Sequence, residues 1–133
     1  MVISSNNVYT KSPAILICLG RQSFLRWEAT VLIIKLSESL PETKSGRHIS
    51  SQILRSGTSP APNYGEAQSA ESKADFVHKL KIALKELRET EIWLKIIVKA
   101  RMVESVSHIA PLLQETDELI AILFKSVETA KKS

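Results

Sequence analysis

The chain has 133 residues, the size of one domain with its own core, and only 4 of them are Gly and 5 are Pro. Hydrophobic residues make up 44% and aromatic residues 5%, a composition that favours helices over sheet. The net charge of +4 permits an anionic partner without requiring one. The single cysteine, Cys18, excludes an internal disulfide and fits a reducing compartment, so we expect a cytoplasmic protein.

The first residues contain one apolar segment, PAILICLG at 13–20. This segment is too short to span a bilayer, and no small-residue cleavage site of the kind that ends a secretory signal follows it. We therefore predict no membrane partner. Residues 1–22 are expected to form a poorly ordered arm ahead of a helical bundle at 23–131.

The first helix is predicted from about Ser23, which can cap it, to Leu40, before Pro41. Its apolar residues cover more than one face when they are placed at about 100° per residue. A helix this broadly apolar in a small domain is expected to be covered on two sides. This is the first indication that the chain forms an oligomer.

The second helix is predicted to begin near His48, after a polar turn at 41–48. Two prolines cannot both lie in an undisturbed helix interior, because each removes a hydrogen-bond donor and crowds the carbonyl four residues earlier. The helix should therefore end or kink at a hinge formed by Gly57, Pro60 and Pro62, and it should resume at 63–70. We interpret the small residues around the hinge as a close packing contact, with a ligand site as the less favoured alternative.

The third helix is the clearest element, because residues 72–103 contain no Pro or Gly and begin with a capping serine, Ser72. One apolar stripe repeats at spacings of three and four residues and predicts the core of the bundle. The members of this stripe are Phe76, Leu80, Ala83, Leu87, Thr90, Leu94 and Ile97.

A second apolar stripe on the same helix fits an intramolecular core, a subunit interface or a partner site. We favour the interface, because a bundle needs only one apolar stripe per helix. The candidate interface residues are Ile82, Trp93, Ile96, Ala100 and Val103.

The face opposite the core is basic and is interrupted only by Ile92. A row of cations is either a solvated surface or a track for a phosphate backbone. Trp93 belongs to another face, so the sequence predicts no platform for stacking bases. The candidate nucleic-acid-binding residues, which we call the basic stripe, are Lys81, Lys85, Arg88, Lys95 and Lys99.

The fourth helix is predicted to start near Ser107, with Pro111 in its first turn, where amide groups lack partners in any case. Its apolar residues repeat at helical spacing as far as Val127. Four amphipathic segments joined by short turns predict an all-α, antiparallel up-and-down four-helix bundle.

No enzyme motif occurs in the sequence: phosphate-binding loop, dinucleotide-binding loop, nucleophile elbow and zinc-protease motif are all absent. Di-metal bundles need Glu-x-x-His on two helices, and this chain has none. We therefore expect no catalytic residues, no metal ligands and no cofactor. The acidic residues on helices three and four include Glu86, Glu89, Glu115 and Glu118. We expect Glu89 and Glu115 to pair with Arg55, Lys85 or Arg88 rather than to bind a metal.

Several segments together carry a family resemblance: QILRSGTS (52–59), NYGEA (63–67), SKADFVHKLKIALKELRETEIWL (72–94) and ETDELIAIL (115–123). In this order they resemble the four-helix-bundle proteins encoded within 23S ribosomal RNA intervening sequences, over residues 23–131. The chain departs from the family pattern T-S-I-x-A-N-I, since it has TSPAPNYG with two prolines. A sharper kink is therefore expected in helix two.

The resemblance implies a toroidal homopentamer with no assigned catalytic activity. The fold is also similar to that of the accessory protein of diversity-generating retroelements, which binds nucleic acid through basic surfaces. We accordingly expect a non-catalytic homo-oligomer, a pentameric ring, that binds structured RNA or DNA. The alternative is a protein–protein adaptor whose basic faces are only solvated.

Overall fold

The computed structural model describes residues 28–133, and all regular structure within them is helical. The helices are α1, helical from residue 28 to 39, α2 (Lys44–Thr58), α3 (Pro60–Gln68), α4 (Lys73–Lys99) and α5 (Ala110–Lys132). Because α2 and α3 are separated only by Ser59, they form one interrupted helix, and the described residues make the predicted four-helix bundle. The predicted arm at 1–22 and the predicted helix start at Ser23 lie outside these residues.

The core consists of two clusters at opposite ends of the bundle, joined by α4 and α5. The α3 cluster combines α3 with the first half of α4 and the second half of α5: Tyr64, Ala67, Ala70, Phe76, Leu80, Ala83, Leu84, Leu87, Leu119, Leu123, Val127 and Ala130. The α1 cluster combines α1 and α2 with the other halves: Ala29, Ile33, Leu36, Leu40, Ile53, Leu94, Ile97, Ile109 and Leu112. All seven residues of the predicted α4 core stripe are buried.

Helix α1 buries only one of its apolar faces. Ile33 and Leu36 lie in the α1 cluster, whereas Val31 and Leu32 are each 45% exposed and Ile34 is also exposed. Within residues 28–133, three apolar side chains of α1 are therefore exposed, with the charged residues Lys35 and Glu38 between them on the outer side of the helix. Within residues 28–133, no helix has both the length and the apolar character needed to cross a membrane.

The second helix begins earlier than predicted, at Lys44 rather than near His48. Thr43 caps it, because its side-chain oxygen accepts a hydrogen bond of 3.0 Å from the backbone N–H of Gly46. The polar turn predicted at 41–48 includes Gly46. The structure instead places it in the first turn of α2, where the backbone of Pro41 passes too close for any larger residue.

The second helix ends inside the segment 57–62, where an end or a kink is predicted. The role of Gly57, Pro60 and Pro62 as a hinge stays a prediction. Helix α2 ends at Thr58, and α3 resumes at Pro60 rather than at the predicted Asn63. Both Pro60 and Pro62 fall in the first turn of α3, where backbone N–H groups have no helical partner, so neither proline costs a hydrogen bond there. The Asn63 side chain donates to the backbone oxygen of Ser59 at 3.0 Å, which satisfies one group at the break.

Helices α2 and α4 are joined just before the hinge by two fully buried hydroxyl groups. The Oγ1 atom of Thr90 lies 3.0 Å from Oγ of Ser56 and 2.8 Å from the backbone oxygen of Glu86. Both side chains have no exposed surface. A buried hydroxyl without a partner is unfavourable, so this pair fixes the register of the two helices.

We expect Thr90→Val to lower the free energy of unfolding by about 1–3 kcal/mol, because it leaves the Ser56 hydroxyl buried without this partner. The double variant with Ser56→Ala should lose less than the sum of the two single variants, since it removes both hydroxyls. Urea unfolding of the four proteins measures the coupling. Strictly additive losses would show that the two hydroxyls do not support each other.

Helix α4 ends at Lys99, four residues before the predicted Val103. Arg101 adopts the left-handed conformation, with φ 53°. The N–H of Arg101 donates to the oxygen of Val98, and the N–H of Met102 donates to the oxygen of Ile97, each at 3.1 Å. This pattern is a Schellman motif, which normally carries glycine at the left-handed position. Here Arg101 takes the left-handed position, and this conformation costs a non-glycine residue roughly 1–2 kcal/mol.

The start of α5 also differs from the prediction. Ser105, not Ser107, is the capping residue, and it precedes a short 3-10 turn at Val106–His108. Helix α5 follows at Ala110 without a side-chain cap, and Pro111 lies in its first turn as predicted. The connection between α4 and α5 is therefore partly ordered by its own turn.

Candidate nucleic-acid interface

All five residues of the basic stripe are exposed on one side of α4. They share this side because the core stripe, at helical spacing, turns the opposite side inward. From Lys81 to Lys99 the helix rises by about 27 Å at about 1.5 Å per residue. At about 3.4 Å per nucleotide of one strand, this length corresponds to about eight nucleotides.

The positive charges in the N-terminal half of the basic stripe are the least neutralised by nearby carboxylates. Within residues 28–133, no ion pair involves Lys81, Lys85 or Arg88, whereas Lys95 pairs with Glu91 at 3.3 Å. Ile92 separates the two halves and is 57% exposed. The positive charge available to an anion is therefore concentrated between Lys81 and Arg88.

This half of the stripe borders a groove between α4 and α5 of about 380 Å³, which we call the α4–α5 groove. Phe124 lies on the α5 side and is 50% exposed. The guanidinium carbon of Arg88 is 5.9 Å from the centre of the Phe124 ring. The groove is lined by Lys81, Leu84, Lys85, Arg88, Phe124, Val127, Glu128 and Lys131.

The sequence prediction missed the contribution of α5 to this surface. Phe124 follows the core residue Leu123, so its position in the helix indicates exposure, but nothing in the sequence shows what it faces. The contact with Arg88 depends on how α4 and α5 are aligned along their lengths. An exposed aromatic residue on the neighbouring helix was the one available signal.

The five residues of the predicted second stripe have different environments in the structure. Trp93 and Val103 are partly buried and pack against the α1 cluster of their own chain, and Val103 lies beyond the end of α4. Ile82 and Ile96 are half-buried, and Ala100 is exposed. The assignment of these five residues to a subunit interface stays a prediction.

A polar network on the α2 side of α4 confirms one predicted pairing. Arg55 forms ion pairs with both Glu86 and Glu89, the first at 3.0 Å. The ring N–H of Trp93 donates to the same Glu89 carboxylate at 3.0 Å. Glu86 and Glu89 are therefore engaged in joining α2 to α4.

The remaining carboxylates and the histidines are dispersed. Burial raises the pKa of the Glu115 carboxyl above its usual value, and the nearby carboxylates of Glu28 and Glu118 raise it further. His48 contacts the Trp93 ring edge-on, with the ring centres 6.3 Å apart. In the part of the chain that the structure describes, no three His, Cys, Asp or Glu side chains come together as a metal site would require.

The fold and this surface define an all-α, up-and-down four-helix bundle with a basic face on its longest helix. Residues 27–125 match the model of the 23S rRNA-intervening sequence protein family, and the chain belongs to that family.

A solved structure from Bacteroides thetaiotaomicron, described as a protein of unknown function from the S23 ribosomal protein family, has the same fold. The two chains are 35% identical with a TM-score of 0.71, over 77% of this chain and 94% of the other. No curated protein matches the chain significantly in sequence.

Proposed function

We propose that this chain is a non-catalytic homo-oligomer, a pentameric ring, that binds structured RNA or DNA through its basic faces. The observation that carries the proposal is the first half of the basic stripe, where Lys81, Lys85 and Arg88 are exposed side by side and form no ion pair with any other residue of 28–133. Such a surface neutralises phosphates whatever the base sequence, and its affinity falls steeply with salt. Repetition of this face around a ring multiplies the number of phosphate contacts.

The exposed apolar side chains of α1 support the oligomeric part of the proposal. Val31, Leu32 and Ile34 are exposed within residues 28–133, and Lys35 and Glu38 lie between them on the outer side of the helix. Large apolar side chains exposed on one helix are unfavourable in water and are typical of contacts between protein chains. A second copy of the same bundle would remove them from solvent.

We expect the native particle to have the mass of five chains by light scattering, and its affinity for an RNA hairpin to fall steeply between 50 and 200 mM salt, concentrations at which phosphate contacts weaken strongly. The double variant Val31→Glu and Leu32→Glu should run as a monomer with unchanged helix content, because both residues are exposed in the single chain. Ile92→Glu is the matched control, since it also places a carboxylate at an exposed apolar position. A wild-type monomer would contradict the ring, and an intact oligomer in the double variant would exclude α1 from the contact.

A protein–protein adaptor is the second candidate, favoured by a separate cleft of about 700 Å³ between the end of α1 and the α4–α5 connection. Apolar residues such as Leu36, Met102 and Leu112 line much of it. The adaptor predicts a defined protein that remains bound to the chain after nuclease treatment. Loss of every bound protein on nuclease treatment would favour the nucleic-acid proposal.

A further inference from the structure

We infer that the α4–α5 groove is a binding site for an unpaired nucleotide, whose base stacks on Phe124 while its phosphates contact the lysines on either side. The inference rests on the proposed nucleic-acid function and specifies its ligand. It assigns the basic stripe to single-stranded segments of RNA or DNA, such as loops, rather than to the backbone of a duplex.

The first support is the exposure of Phe124. A phenylalanine that is 50% exposed leaves much of an apolar ring in water, although Leu123 and Val127 beside it are buried. Every base has an aromatic face, and stacking on an exposed side chain is the usual way in which proteins hold unpaired bases.

The second support is the presence of several lysines in the same groove as Phe124. Lys81 and Lys85 lie on the α4 side of the groove and Lys131 on the α5 side, so cations from two helices flank one aromatic residue. Glu128 is the one acidic residue in the lining, and its carboxylate lies 3.7 Å from Nζ of Lys131. Because the aromatic surface lies between the cations, a bound base can have its adjoining phosphates within reach of them.

The third support is the position of Arg88. Its guanidinium carbon lies 5.9 Å from the Phe124 ring centre, near the outer limit of a cation–π contact. Two planes that enclose a base must be separated by about twice the 3.4 Å stacking distance, or about 6.8 Å. Because Arg88 is exposed, its side chain can move away from the ring, and a base can then stack between the guanidinium and Phe124.

A duplex fits this arrangement poorly. Its bases are already stacked on one another, so Phe124 gains nothing from a duplex except contact with the sugar–phosphate backbone. An unpaired strand offers both the phosphates and the base faces. The groove is therefore expected to discriminate by strandedness, and sequence preference should be slight because stacking tolerates every base.

The test uses the full chain and fluorescein-labelled ten-nucleotide probes: oligo(U), oligo(dT), an abasic strand with the same phosphates, and a ten-base-pair duplex. Phe124→Ala should weaken oligo(U) and oligo(dT) binding by about 5- to 150-fold, the usual effect of losing one stacked base. Binding to the abasic strand and to the duplex should be unchanged by this substitution. The salt slope should also stay the same, because no phosphate contact is removed.

Two further variants separate stacking from general apolar contact. Phe124→Leu keeps the apolar volume without an aromatic face and should behave like the alanine variant. Phe124→Trp should bind at least as tightly as the wild type, and its added indole fluorescence should be quenched by oligo(U). Thermal unfolding monitors the fold, which these changes at a half-exposed position should preserve.

The comparison of oligo(U) with oligo(dT) tests the role of the sugar. Equal binding by RNA and DNA shows that base and phosphate suffice, and a preference for RNA indicates an additional contact to the 2′-hydroxyl.

The outcomes separate this inference from the function on which it rests. If oligo(U) binds with steep salt dependence but Phe124→Ala and the abasic strand bind as tightly as their parents, the stacking site is wrong and the basic surface stands. If the duplex binds as tightly as oligo(U), the preference for single strands is wrong. If no probe binds at 50 mM salt, both this inference and the proposed function are overturned.

Discussion

Replacing Gly46 with Ala is expected to lower the free energy of unfolding by about 2–4 kcal/mol, the largest effect expected at any of the described glycines. A Cβ atom at this position would lie 1.9 Å from the backbone oxygen of Pro41 and 3.0 Å from Oγ1 of Thr43. A backbone oxygen cannot rotate aside as a side chain can. Either the turn between α1 and α2 or the first turn of α2 must therefore move.

Movement there also weakens the helix cap, because the N–H of Gly46 is the donor to Thr43 Oγ1. Loss of such a cap costs about 1 kcal/mol, in addition to the cost of overpacking. Equilibrium urea unfolding followed by far-UV circular dichroism measures the change. All variants must be compared at one protein concentration, since assembly contributes to the apparent stability.

Gly65→Ala is the matched control, because a Cβ atom there meets nothing within 4 Å and the residue lies inside α3. The same substitution should raise stability by about 0.5–1 kcal/mol through helix propensity alone. Gly57 is intermediate, since its Cβ would meet the side chain of Ile33, at 2.5 Å from Cγ2, and that side chain can shift only slightly. Equal stability of the Gly46 and Gly65 variants would contradict the close approach at Pro41.

The bundle itself was predictable because its signals are local. Each helix has an apolar stripe at helical spacing, and seven of the eight buried residues of α4 were identified from that spacing, the exception being Leu84. The end of α2 near the two prolines was predictable for the same reason, since a proline changes the hydrogen bonding of its own neighbours whatever the rest of the fold does.

The helix ends were less predictable, because they depend on contacts that a local pattern does not show. In the sequence, Gly46 is typical of a turn. The structure shows that glycine is needed there because the backbone of Pro41 passes too close for a larger residue. Arg101 ends α4 in a conformation that glycine normally adopts, so no sequence signal marks the end of the helix.

The α4 side of the candidate site was predictable from the sequence, and the α5 side was not. The cations of α4 are visible as a stripe in the sequence, but their aromatic neighbour is on another helix. Whether Phe124 meets Arg88 or Lys95 is decided by the relative shift of α4 and α5 along their axes. That shift follows from how the two buried clusters pack, which is a property of the whole bundle.

Reversing the charge of Lys81, Lys85 and Arg88 together should weaken binding to an RNA hairpin by roughly 100- to 500-fold at 0.1 M salt. Each phosphate contact contributes about 0.7 to the slope of log affinity against log salt on a single strand and about 0.9 on a B-form DNA duplex. Three lost contacts therefore flatten the slope by about 2.1 to 2.7. At 0.1 M salt this corresponds to a loss of roughly 100- to 500-fold in affinity.

The control must change the net charge equally without touching α4. Glutamates in place of Lys35, Lys44 and Arg47, which are exposed on α1 and α2, do so. If affinity follows net charge alone, the two triple variants lose it equally, and the salt slope falls by the same amount in both. If the basic stripe is the contact surface, the control keeps most of its affinity and its slope, whereas the α4 variant loses both.

A wild-type slope in the α4 variant would remove these three residues from the interface, whatever the affinity. The slope is the decisive quantity because it counts phosphate contacts directly, whereas affinity also responds to stacking at Phe124.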